Sequence, residues 1–130
     1  MSFKAKLKVA GKEVNILNLS YALKQETDAT GRPSSITRGG KIYVTIEATG
    51  DTSFFEWMTN SFERKDGSIV FTKREDDATL KELFFKEAYL IDYKEAFDSI
   101  NDRPVAESFT LSAREISMGT GTHTNEWVSN

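Results

Sequence analysis

The chain has 130 residues, 38% hydrophobic and 28% charged, a composition that suits one globular domain with one core and leaves no room for two full-sized domains. A formal charge of -3 and a pI near 5.2 argue against a general nucleic-acid binder, and the absence of cysteine excludes disulfides, thiolate nucleophiles, iron-sulfur clusters and cysteine zinc sites. No uncharged apolar run is long enough to cross a bilayer, so no membrane insertion is expected. Residues Met1 to Lys8 interleave lysines with apolar residues and offer no signal-peptide core, so synthesis in the cytosol without a cleaved signal is expected.

Phe3, Ala5, Leu7 and Val9 alternate with Lys4, Lys6 and Lys8, the period of a half-buried strand. The lysine stripe reads as an edge strand blunted by charge. Ala10-Gly11-Lys12 supplies a turn, and Glu13 to Gln25 follows as a long second strand whose cleaner apolar face runs from Leu17 to Leu23. Glu26 to Ser35 is polar and rich in turn formers, which makes it a projecting loop. Strand character resumes over Ile36 to Ala48, where Gly39-Gly40 marks a bulge or a close backbone approach.

Across Asp51 to Phe62 the period changes. Ser53 and Glu56 have capping-box spacing, and Phe54, Phe55, Trp57, Met58 and Phe62 recur at helical steps, so a short amphipathic helix docks on the sheet, with Phe54, Trp57 and Met58 as its docking residues. Lys65-Asp66-Gly67 reads as a hairpin turn before a strand over Ser68 to Lys73. Leu80 to Phe97 suits helix and strand alike, and local propensity favours helix. Val105 to Ile116 alternates as a last strand, and the polar stretch from Met118 to Asn130 has the composition of a frayed tail. Trp127 within it either packs back on its own domain or hooks onto a neighbouring surface, a possible inter-subunit contact.

Residues with chemistry are sparse. There is no G-x-S-x-G, H-E-x-x-H, phosphate-binding loop or EF-hand spacing. Gly119-Thr120-Gly121 begins like a dinucleotide fingerprint but lacks the third glycine and a following helix. His123 has no carboxylate or second imidazole nearby in sequence and reads as a solvent-exposed histidine, while Asp76-Asp77 reads as a solvated turn. No catalytic residue, metal site or cofactor is expected. One reading available from the residues alone is a β-barrel whose aromatic interior binds a small apolar ligand.

The order of elements resembles a known family. The lysine-alternating strand, the long second strand, the loop ending Gly31-Arg32-Pro33-Ser34-Ser35-Ile36-Thr37-Arg38-Gly39-Gly40, the Phe54-Phe55-Glu56-Trp57-Met58 helix, the Lys65-Asp66-Gly67 turn and Leu80-Lys81-Glu82-Leu83 running to Tyr89 together look like the haemolysin-coregulated protein family, the tube protein of type VI secretion systems, in its gut-commensal branch. The resemblance covers residues 1–117, and 118–130 form a polar C-terminal tail. It implies a mainly β fold, a small β-barrel of two packed antiparallel sheets with one short helix, and it assigns Leu80 to Phe97 to strand. It further implies homo-hexameric rings stacked into a hollow tube, with contractile sheath, spike and effector proteins as partners, assembled in the cytoplasm and then secreted without a signal peptide. Within the family an extended loop after the second strand stacks the rings; Glu26 to Gly40 matches it here, with Asp28, Arg32 and Arg38 expected to contact the next ring.

Overall fold

The computed structural model describes residues 3–48, 51–76, 78–96 and 106–125. The chain runs through β1 (Phe3–Val9), β2 (Lys12–Tyr21), β3 (Lys41–Glu47), α1 (Ser53–Thr59), β4 (Arg64–Lys73), β5 (Thr79–Ala96), β6 (Ala106–Met118) and β7 (Gly121–Thr124). Strand order is β3-β2-β1-β4-β5-β6-β7, and β3 also pairs antiparallel with β6, from Lys41 opposite Ser112 to Glu47 opposite Ala106. That last pairing closes β1 to β6 into a barrel. The fold is the expected antiparallel β-barrel with one short helix, and the two packed sheets are the two walls of one continuous sheet.

The alternation of β1 puts Leu7 and Val9 in the core and Ala5 against it. The strand is no edge, however: β2 flanks it on one side and β4 on the other. Its lysines instead line the outer wall, where Lys6 pairs with Glu13 at 3.1 Å.

Bulges explain why several strands show no single clean face. In β2 the register slips between Ile16 and Asn18, so Val14 and Ile16 face the core before the slip and Leu19 and Tyr21 after it. Leu17, on the face expected to be apolar, is exposed. Lys65-Asp66-Gly67 is no turn but runs within β4, opposite a bulge in β5 where Lys86 and Glu87 face the single residue Asp66. Glu87 sits in the left-handed region at φ 51°, with its N–H held by Asp66 Oδ1 at 2.7 Å. That reversal of phase carries β5 from Leu83 and Phe85 to Ala88 and Leu90 as core residues. Gly67 is required there, because a Cβ would lie 2.4 Å from the Lys8 carbonyl oxygen and 2.7 Å from the Phe85 ring.

β5 is strand throughout, against its local propensity, because it pairs with β4 from Thr79 to Tyr89 and with β6 from Leu83 to Ala96, so that every part of it has a partner and its middle has two. Tertiary pairing overrides intrinsic preference when both edges are used.

The helix is shorter than expected, Ser53 to Thr59. The capping box does not form at Ser53; Asp51 Oδ1 accepts the Ser53 N–H at 2.9 Å, and the Thr52 hydroxyl bonds the Glu56 carboxylate. Phe54 and Trp57 are buried, Phe54 stacked on Phe109 with centroids 4.6 Å apart and Trp57 donating its indole N–H to the Glu63 carbonyl at 2.9 Å. Met58 lies one step around the helix and is exposed, so docking falls to the two aromatics. Phe62, expected on the same stripe, lies beyond the helix and is 85% exposed. Below α1 the buried Glu107 accepts the Tyr93 hydroxyl at 2.5 Å. Burial first, and this carboxylate second, push the phenol's pKa up.

The expected fray after Met118 gives way to β7, which pairs with β6 from Glu115 opposite Thr124 to Met118 opposite Gly121. It continues along the edge of β6 that β3 leaves at Ser112. Trp127 lies outside the described residues.

Trp57→Ala should destabilise the fold by about 3 to 5 kcal/mol in chemical denaturation, since a buried ring and its hydrogen bond are both lost. Gly67→Ala should cost about 1 to 3 kcal/mol by the same measurement, because backbone of β1 and the Phe85 ring must both move.

Candidate functional site

The loop between β2 and β3 is built rather than slack. Its two limbs pair: Lys24 and Arg38 exchange backbone hydrogen bonds at 2.9 and 2.7 Å, Ser34 N–H reaches the Glu26 carbonyl at 2.7 Å, and Asp28 N–H reaches the Arg32 carbonyl at 2.9 Å. Side chains reinforce the frame, with Gln25 Nε2 donating to the Ser35 carbonyl at 3.3 Å and Glu26 N–H to the Ser35 hydroxyl at 2.9 Å. Nearly every side chain is exposed, so polar contacts hold the loop in place of a core.

Asp28 organises the tip. Its Oδ1 accepts the Thr30 hydroxyl at 2.7 Å, the Thr30 N–H at 2.9 Å and the Arg32 N–H at 3.2 Å. Those bonds, the Thr30 hydroxyl foremost, lower its pKa. Gly31, at φ +87°, lets the chain reverse between them. Arg38 Nε lies 3.7 Å from Glu26 Oε1, an exposed pair worth about 0 to 1 kcal/mol. The guanidinium of Arg32 has no hydrogen-bond or ion-pair partner among the described residues. The three residues expected to act together thus differ in place: Asp28 frames the tip, Arg38 braces a limb, and Arg32 points a charge outward.

The loop is fastened to the barrel by residues that composition assigns to a tail. Asn125 donates both hydrogens of its amide, to the Gly39 carbonyl and the Ala113 carbonyl, each at 3.0 Å. Its own N–H bonds the Arg114 carbonyl at 2.7 Å, and Ala113 N–H bonds the Gly40 carbonyl at 2.8 Å. His123 Nε2–H donates to Asn125 Oδ1 at 3.0 Å, which turns the amide toward those carbonyls. His123 is half-buried rather than solvent-exposed. The paired glycines permit this crossing: a Cβ on Gly39 would sit 2.9 Å from the Ala22 carbonyl oxygen, and one on Gly40, at φ +101°, 2.5 Å from Asn125 Nδ2. Gly39-Gly40 announced a close approach; nothing near Asn125 in sequence announced its partner.

Elsewhere the molecule offers little chemistry. The barrel interior is filled, with Leu7, Ile42, Ile46, Ile69, Phe85 and Leu111 almost wholly buried. A concavity of about 570 Å³ lies at the β1–β2 turn, between Gly11, Gly67, Phe84 and Lys86. Among the described residues no group of three or more acidic or histidine side chains is placed to hold a metal ion, and no helix is long and apolar enough to cross a membrane.

Known proteins give this geometry its context. The family model for hemolysin coregulated protein Hcp (TssD) matches residues 1–128. The structure of Hcp1 from Flavobacterium johnsoniae is 58% identical, with a TM-score of 0.89 over 94% of this chain and 99% of that one. Hcp1 from Salmonella typhimurium, 14% identical, shares the fold at a TM-score of 0.75 over 95% of this chain and 93% of that one. A chain of the PVC sheath-tube complex, an extracellular contractile injection system in its extended state, shares it at 0.61 and 19% identity, over 88% and 87% of the two chains. The search of curated proteins found no match. The matched family model and the 58% identical relative, each spanning nearly the whole molecule, place this chain in the haemolysin-coregulated protein (Hcp, TssD) family, the tube proteins of type VI secretion systems.

Proposed function

We propose that the chain is a structural, non-enzymatic tube subunit: six copies close into a ring, rings stack into a hollow tube, and the tube is expelled with effectors. The observation that carries this reading is the preorganised loop. A free segment would lose about 1 to 2 kcal/mol per residue on being ordered in a contact, and this loop is already ordered by its own hydrogen bonds. Its exposed ion pair between Glu26 and Arg38 is weak enough to be exchanged for a partner's charge.

On this reading Asp28 sets the shape of the tip, while Arg32 and Arg38 supply charge to the next ring. Residues 1–117 form the barrel domain and 118–130 a C-terminal segment, in which Trp127 is a candidate contact to a neighbouring copy. Sheath, spike and effector proteins are the partners that family membership implies, with assembly in the cytoplasm and export without a cleaved signal. The rival ligand-binding barrel needs an internal cavity, and the packing of Leu7, Ile42, Phe85 and Leu111 leaves the axis filled.

Negative-stain imaging of the purified protein should show rings and stacks; a solitary monomer at high concentration would overturn the reading. Arg32→Glu with Arg38→Glu should abolish stacks and leave rings and the unfolding midpoint unchanged, since neither side chain is in the core. Asp28→Ala should speed amide exchange at Thr30 and Arg32, whose N–H groups lose their acceptor, and shorten stacks less severely than the double charge reversal.

A further inference from the structure

The two ends of the barrel are finished differently. At one end α1 acts as a plug, with Phe54 and Trp57 buried against the core. At the other, where β2 finishes and β6 turns into β7, a concavity of about 370 Å³ opens among Tyr21, Leu23, Leu83, Ile116 and Met118, with Thr37 and His123 also in its wall. Leu83 and Ile116 belong to the core, and Tyr21 and Met118 pack against it, so this is the mouth of the barrel and not a furrow on its outer wall. It is separate from the barrel axis, which Phe85 and Leu111 fill.

The lining of the mouth limits what could occupy it. It holds no lysine, arginine, aspartate or glutamate, unlike the concavity at the β1–β2 turn, where Lys8, Lys12 and Lys86 stand with Glu13 and Asp66. A charged molecule would shed hydration here and meet no counter-charge. Two half-buried polar groups nevertheless lack good partners. The Tyr21 hydroxyl has only the Met118 thioether among the described residues, at 4.0 Å, and sulfur is a weak acceptor. His123 donates its Nε2–H to Asn125 Oδ1, which leaves Nδ1 as an acceptor with no partner among the described residues. The Met118 sulfur and the Tyr21 ring favour an aromatic guest over an aliphatic one.

We infer that the mouth of the barrel at the loop end binds a small uncharged aromatic molecule carrying one hydroxyl, the class of the simple phenols. Its ring packs among Leu23, Leu83, Ile116 and Met118. Its hydroxyl accepts from Tyr21 and donates to His123 Nδ1, two roles that one O–H group fills together. The concavity has the size and the mainly apolar lining of small-molecule sites, which recur in the mouths of barrels. Because the same imidazole orients the Asn125 amide that holds the Gly39 carbonyl, the guest is tied to the base of the β2–β3 loop. A single copy of the chain supplies every group, so the site does not depend on the tube reading.

Phenol and toluene, which exchange a hydroxyl for a methyl group of similar size, test the site. Each is titrated into the purified protein, with calorimetry for affinity and backbone amide shifts for location. Phenol should bind saturably in the millimolar range, move the amides of Tyr21, Leu83, Ile116 and His123, and bind about tenfold more tightly than toluene, which leaves both polar groups unpaired. A merely apolar groove would favour toluene, the more hydrophobic of the two, so toluene binding as tightly as phenol would overturn the assignment. Phenol shifts that do not saturate, or that centre elsewhere, would overturn it as well. Tyr21→Phe keeps the ring and should weaken phenol severalfold, with toluene affinity and melting temperature unchanged; undiminished phenol affinity in this variant would count against the site. Phenol that binds unassembled protein but not stacked material would show that a neighbouring copy fills the mouth, and the ligand site would fall.

Discussion

The pairing of β3 with β6 is the contact on which the molecule depends. Those two strands are far apart in sequence, and until they meet the sheet is open, with its apolar face half covered. Once Lys41 to Glu47 lies along Ala106 to Ser112, Ile42 and Val44 stand beside Leu111 and Phe109 on the inner face of a closed barrel, with Ile46 in the same core. Closure also removes most strand edges, the usual route for one sheet to recruit another. Open edges are therefore poor material for assembly here. Surface that associates has to come from the ends and the outer wall.

Assembly then becomes a matter of how the ends are finished. At one end Phe54 and Trp57 reach into the core and leave Phe55, Met58 and Phe62 outside, so a short helix both seals the barrel and displays apolar surface. At the other the loop would be mobile on composition alone. Asp28 fixes its tip, paired backbone groups fix its limbs, and Asn125 fixes its base against β6. β7 acts as a brace: it continues the seam where β3 stops and delivers Asn125 to the Gly39 carbonyl.

What was legible in the sequence follows from these facts. Unbroken alternation was readable, as in β1, where Leu7 and Val9 point inward. Where a bulge reverses the phase, a single face cannot be followed: β2 turns over between Ile16 and Asn18, and β5 around Glu87. Asp66-Gly67 carries turn chemistry, yet Gly67 serves a tight crossing of strands. The helix face was legible at Phe54 and Trp57 and misleading at Met58 and Phe62, because α1 ends at Thr59 and its stripe ends with it. The loop was visible as a loop, but its order was not, since it comes from hydrogen bonds to residues such as Asn125 far along the chain. Strand identity for β5 came from resemblance to a family, and two-sided pairing supplies its cause.

The loop between β2 and β3 is the proposed contact between stacked copies. The chain has no cysteine, so one engineered into the loop reports this contact without background. In the Ile36→Cys variant, thiol labelling should be markedly slower in assembled material than in the unassembled protein, because a neighbouring copy covers the loop. A variant that stacks normally and is labelled equally fast in both forms would contradict the account.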